Sequence, residues 1–173
     1  MKEFKPETTL QQARTHLRNM WGKEAVECPC CTQMVKVYNR KFNSGMAKAL
    51  LLIYKISNEV DFGFIHVQNE FNKLGINAIS IEYNKLSHWR LIEERKGENP
   101  SGANRTGYWK LTPLGISFAK GGSTIQEYVH VFDAKVRGFH GDEINITDAI
   151  KNKFSYFDLM GFLPLNELPG GTP

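Results

Sequence analysis

The chain has no apolar run long enough to cross a bilayer. Its longest, residues 47–54, is broken by Lys48 and ended by Lys55, well short of the roughly 20 residues a spanning helix needs. The opening stretch, MKEFKPETT, lacks the apolar core of a secretory signal. Together these absences lead us to expect a cytoplasmic protein with no membrane partner. Cysteine is scarce, and Cys28, Cys30 and Cys31 sit together. An odd, local cluster cannot build a disulfide framework, and a reducing compartment suits it better. The phosphate-cradling patterns G-x-x-x-x-G-K-[ST] and G-x-G-x-x-G are missing, as are H-E-x-x-H and G-x-S-x-G. His16, His66, His88, His130 and His140 are scattered, and no close, apolar-flanked carboxylate pair suggests tuned acid–base chemistry. The expectation is a protein that is not an enzyme.

What is present suffices for a core: 41% of the 173 residues are hydrophobic and 12% aromatic. One domain, or one with a small appendage, is the expected size class. The net charge of +4 is unevenly spread. Residues 1–43 carry eight basic and four acidic side chains, residues 44–120 ten and seven, and residues 121–173 four and seven. The first two segments could face an anionic polymer, although a surplus of this size is also ordinary for a solvated surface.

Apolar residues recur at three and four over 9–21 (Leu10, Ala13, Leu17, Met20, Trp21), which predicts an amphipathic helix capped by Thr8 or Thr9. Met34, Val35, Val37, Tyr38 and Phe42 predict an extended segment. Ser44 is a candidate cap for a helix over 45–57 with Met46, Ala49, Leu50, Ile53 and Tyr54 inward. A second helix is expected over 65–74, with Val67, Phe71 and Leu74 inward and Gly75 past its end. A third is expected over 78–89 with Ile79, Tyr83, Leu86 and Trp89 as its stripe. Strands follow at 91–95 and 107–111 around a polar loop, 97–106. Thr112-Pro113 starts another helix, which stops at Gly121-Gly122. Beyond the glycines, 128–132 and 135–139 alternate around Asp133-Ala134 as a hairpin. Ile144 and Ile146 suggest one more strand, Thr147 or Asp148 a cap for a helix to about 154, and PLNELPGGTP a loose tail.

LSHWRLIEE (86–94) and GYWKLTPLGISFAKG (107–121) carry a resemblance. With a leucine, a tight helix exit, a Leu-Ile strand, a polar loop, an aromatic strand and Thr-x-x-Gly into a helix, residues 44–120 resemble the winged-helix family of DNA-binding domains. Arg90 departs from that pattern, standing where glycine is common. A non-glycine residue in a left-handed exit costs about 1 kcal/mol, so either the turn differs or Arg90 has a compensating contact. The resemblance implies an α+β fold: a winged helix-turn-helix core at 44–121, an N-terminal helix and CPCC segment at 1–43, a small hairpin-and-helix extension at 122–163 and a tail at 164–173. It also implies a recognition helix at 78–89 in the major groove and a wing at 97–106 on the backbone. Ser80, Asn84, Lys85, Ser87 and His88 would then lie on the open face, where Asn can read adenine and Lys guanine or phosphate. Arg95, Lys96, Asn104, Arg105 and Lys110 would meet phosphates or the minor groove. Residues 77–120 carry seven basic and four acidic side chains, and Glu93, Glu94 and Glu98 in the hairpin would repel phosphate. Winged helices also serve as protein-interaction modules.

Cys28 and Cys31 form one C-x-x-C pair, half of a tetrahedral zinc site. A complete signal needs a second pair; Cys30 or His16 could supply a third ligand, or two protomers could pool their thiolates. CPCCTQMVKVYNRKF resembles one half of a zinc ribbon, of the kind found ahead of winged helices in phage-encoded proteins, and so implies a phage or prophage origin. A cluster of reduced cysteines in a loop is the plainer reading. The expectation is thus a double-stranded-DNA-binding phage or prophage regulator or replication accessory, with zinc as candidate cofactor and a homodimer as candidate state. The net acidic C-terminal hairpin or the first helix could serve dimerisation. The alternative is a winged-helix module that binds or inhibits a host protein.

Overall fold

A computed structural model describes residues 7–20, 24–76, 82–97, 106–151, 153 and 155–160. It is a mixed α and β structure with small antiparallel sheets. No helix among the described residues is long and apolar enough to cross a membrane. Packing divides the chain into two units, residues 1–40 with 128–140, and residues 41–127 with 141–173.

The first unit opens with α1 (Leu10–Met20), which buries Ala13 while Leu10 stays 55% exposed. Thr9 caps it: Gln12 N–H donates to the Thr9 hydroxyl, and Gln12 Oε1 accepts from Thr9 N–H. Two two-residue strands, β1 (Val26–Glu27) and β2 (Met34–Val35), pair antiparallel with Glu27 opposite Met34. The extended reading of 34–42 therefore resolves into β2 and β3 (Tyr38–Lys41). The expected hairpin is present but longer: β7 (Ile125–Phe132) and β8 (Lys135–Ile144) flank Asp133-Ala134, whose φ values of 51° and 52° are the left-handed pair a two-residue type I′ turn requires. The strand order of that sheet is β3-β7-β8. Tyr128 stacks on His140, and His140 on His130 at 4.2 Å between ring centroids.

The second unit is built on α2 (Ser44–Asn58), whose Met46, Ala47, Ala49, Leu50, Leu51, Ile53 and Tyr54 are all at most 1% exposed. Its cap is Asn43 rather than Ser44: Asn43 is extended and its side chain accepts Met46 N–H at 2.9 Å. The helix expected from residue 65 begins two residues later. Ile65–His66 forms β4, paired with Trp109 and Tyr108, so the ladder claims those backbone groups before α3 (Val67–Lys73) starts. α3 ends in a Schellman arrangement, Gly75 at φ 67° and Ile76 N–H reaching Phe71 O at 2.9 Å. Leu74, expected inward, lies past the last turn and is 54% exposed.

The third helix also differs from expectation. Its described part is a 3-10 helix, Tyr83–Trp89; Ile79 and the rest of 77–81 lie outside the described residues. In YNKLSHW only Lys85 and Leu86 are good α-helix formers, and at three residues per turn Tyr83, Leu86 and Trp89 line up on one face. Leu86 and Trp89 are buried. Trp89 donates its indole N–H to Gln126 O at 2.7 Å and meets the edge of Phe42, which also packs edge-to-face on Phe118. β5 (Ile92–Glu94) and β6 (Tyr108–Leu111) then pair with β4 in the order β4-β6-β5. Asn145 starts α5 (Ile146–Ile150) with a full capping box to Asp148, so Ile146 is a helical residue and the cap lies before Thr147. α6 (Tyr156–Met160) follows, Tyr156 donating its hydroxyl to Ala119 O.

Arg90 does occupy the left-handed exit, at φ 59°. Arg90 N–H reaches Ser87 O and Leu91 N–H reaches Leu86 O, closing the same Schellman pattern that Gly75 closes. The compensating contact comes from Thr112. Its hydroxyl donates to Arg90 O at 2.6 Å, its N–H donates to Leu91 O at 3.0 Å, and it accepts Gly115 N–H at 3.0 Å as the cap of α4 (Pro113–Ala119). The carbonyl of Leu91 presses so closely on α4 that a Cβ at Gly115 would lie 2.0 Å from its oxygen. Thr-x-x-Gly is thus one device: threonine ties the strand to the helix, and glycine leaves room for the strand's backbone. Replacing Gly115 by alanine is expected to lower the denaturant midpoint by the equivalent of at least about 2 kcal/mol. An unchanged midpoint would reject this contact.

Candidate functional site

The 3-10 helix and the β5–β6 hairpin hold most of the residues singled out for nucleic-acid contact. Asn84 is exposed, and Ser87 donates its hydroxyl to Asn84 O at 2.6 Å. His88 is half-buried beside the Trp89 ring. In three-fold register Asn84 and Ser87 share one row, and Lys85 and His88 the next. Lys85 is half-buried and pairs with Glu82, which stands at φ 49° just before the helix. Ser80 lies outside the described residues, as do Asn104 and Arg105 of the expected wing.

The hairpin register places Ile92 opposite Leu111, Glu93 opposite Lys110, and Glu94 opposite Trp109. Ile92, Leu111 and Trp109 are buried. Lys110 Nζ meets Glu93 at 2.8 Å and lies 4.9 Å from the centre of the Phe64 ring. Toward the hairpin's end, Arg95 N–H donates to Tyr108 O at 2.9 Å and the Thr106 hydroxyl to Arg95 O at 2.9 Å, so the ladder continues past β5. The Arg95 guanidinium, in an exposed residue, lies 6.0 Å from the centre of the Tyr108 ring, and Lys96 is exposed beside it. His66 braces the other edge: it caps α3 by accepting Asn69 N–H, and its ring packs edge-on against Tyr108. Tyr83 anchors the helix between Phe71 and Trp109. Burial, with the charge of Glu94, holds its phenol above the usual range, so it stays neutral.

Of the expected contacts, Asn84, Arg95 and Lys96 are thus exposed, while Lys85 and Lys110 each have a carboxylate partner. Arg90, exposed in the turn between helix and hairpin, joins this surface. A shallow groove between α2 and α3, lined by Leu52, Ile56, Leu74 and Ile76 and rimmed by Lys55, Glu59, Glu70 and Lys73, lies in the same unit.

The cysteines form a separate feature, a turn joining β1 to β2. Cys28 N–H donates to Gln33 O at 2.8 Å, Thr32 N–H returns to Cys28 O at 2.9 Å, and Thr32 turns the chain at φ 58°. Cys28 is half-buried; Cys30 and Cys31 are exposed. The backbone N–H groups of Cys30 and then Cys31 favour the Cys28 thiolate and outweigh the small opposing effect of burial, so its pKa lies below the usual thiol range. All three cysteines and all five histidines are described, and among the described residues no three His, Cys, Asp or Glu side chains converge on a common point. Neither Cys30 nor His16 completes a ligand set with Cys28 and Cys31. The described residues of one chain therefore do not fit the four-ligand closed site that structural zinc takes.

Comparison with protein-family models, curated proteins and solved structures finds no match.

With metal removed by chelator, Cys28 is expected to be alkylated by iodoacetamide faster in the native protein at pH 7 than in the denatured chain, because more of it is thiolate. Peptide mapping at short times checks this; an equal or slower native rate would contradict the stabilisation described.

Proposed function

We propose that residues 44–120 form a winged helix-turn-helix module that binds double-stranded DNA, as a phage or prophage regulator or replication accessory. The observation that carries this reading is the succession α2, β4, α3, 3-10 helix, β5 and β6, with β6 between β4 and β5. It supports a helix and an adjoining hairpin presenting polar and cationic groups together. Asn84 and His88 would face base edges from the 3-10 helix, and Arg95 and Lys96 would meet phosphates beside them. Arg90, between the two, would contact the backbone. The two paired lysines would exchange carboxylate for phosphate on binding.

Affinity for random duplex DNA should fall steeply with salt, log K against log[salt] losing about 0.9 per phosphate neutralised. Arg95→Ala and Lys96→Ala should each flatten that slope by about one phosphate. Absence of binding at low salt would sink the reading.

Arg90→Gly tests strain and contact together. Removing the left-handed strain should raise stability by about 0.5–1 kcal/mol, a melting temperature about 1–4 °C higher for a chain of this size, while DNA affinity drops. Unchanged affinity in the stabilised variant would remove Arg90 from the interface.

The second reading, a module that docks on a host protein, is favoured by the α2–α3 groove with the exposed Leu74 in its lining, and by the carboxylates that occupy Lys85 and Lys110. A salt-insensitive or absent DNA interaction points to it.

A further inference from the structure

We propose that Cys28 and Cys31 are half of a four-thiolate zinc site that a second copy of this chain completes. Spacing and turn set the first half. The thiols stand at i and i+3 around a turn closed by the Cys28–Gln33 and Thr32–Cys28 backbone bonds. Zinc in a structural site takes four tetrahedral ligands. Within one chain the missing two have no source among thiol and imidazole groups, since every cysteine and histidine is described and no third ligand converges on the pair among the described residues. A two-fold related copy brings the same turn and therefore the same two thiolates, which closes the set by symmetry.

The surroundings point the same way. Between residues 24 and 40 no side chain is buried, and β1 and β2 are two residues each. A two-stranded ribbon of that size is marginal in water without a staple. Cross-linking through a metal supplies one, and Met34, 60% exposed on β2 opposite Glu27, gains an apolar contact when a second copy approaches. Charge does not oppose the approach, since Glu24 and Glu27 balance Lys36 and Arg40. Each zinc would displace four thiol protons, two from each chain. The inference is independent of the DNA-binding reading.

The experiment is a metal titration of the full chain, stripped with EDTA and kept reduced. Cobalt(II) is expected to saturate at half an equivalent per chain with the absorption of a tetrahedral thiolate site. Zinc is expected to convert the protein, by light scattering, from the 19.7 kDa of one chain to twice that mass, and EDTA to reverse the change. Cys30→Ser should behave as the parent; Cys28→Ser and Cys31→Ser should bind no cobalt and stay at the mass of one chain, with circular dichroism reporting whether the rest is folded. Saturation at one equivalent in a monomer, no tetrahedral spectrum in the parent protein, or a dimer that persists in EDTA and in Cys28→Ser would each overturn the proposal. The parent titration is decisive even if a serine variant fails to fold.

Discussion

The organisation of residues 83–97 and 106–120 depends on the clasp between Thr112 and the backbone of Arg90 and Leu91. One hydroxyl both donates to a carbonyl at a strained helix exit and accepts the N–H that begins the next helix. The neighbouring amide adds the bond to Leu91 O. The groups joined are ones that helix ends leave unsatisfied, so the clasp answers an exit and an entry together. It also fixes spacing: with Leu91 O against Gly115, helix α4 sits as near the strand as backbone atoms allow. The 3-10 helix, the hairpin and α4 are thereby referred to one point, and the positions of Asn84, Arg90, Arg95 and Lys96 follow from it.

Below that point lies an aromatic seam. Phe42 touches Trp89 and Phe118 edge-on, Tyr83 bridges Phe71 and Trp109, and α2 presents an unbroken buried face to the elements around it. Edge-to-face pairs are directional as well as apolar, and the Trp89 indole has its hydrogen bond to Gln126. A short 3-10 helix has few backbone bonds of its own. Here it is held by the side chains it sends inward rather than by its own ladder.

Much of this could be read from the chain. The α2 core residues, the Asp133-Ala134 turn, the Thr-Pro start of α4 and the doubt over Arg90 were all visible, because periodicity, turn chemistry and φ-restricted positions are local. What could not be read was decided elsewhere in space. Ile65–His66 looked helical until its partners on β6 took its hydrogen bonds. The 3-10 geometry of 83–89 replaced an α-helix because its sequence is a poor α-former while its three-residue spacing suits the core. Leu74 counted as core by period alone but fell beyond the helix end. Among the candidate contacts, their charges were legible and their partners were not: Glu82 lies three residues from Lys85, but Glu93 meets Lys110 only through strand register. The cysteine turn was likewise visible as half a site, and only the folded chain shows that His16 and Cys30 do not complete it.

The two lysine–carboxylate pairs have a consequence for discrimination. On the proposed reading, each carboxylate is a tethered anion that any incoming phosphate must displace, at an effective concentration that free salt does not reach. An isolated phosphate gains little by the exchange. A duplex that also satisfies Asn84 and His88 gains enough to make it worthwhile. Glu82 and Glu93 would therefore act as resident competitors, lowering attachment to any polyanion that lacks further contacts to offset the exchange.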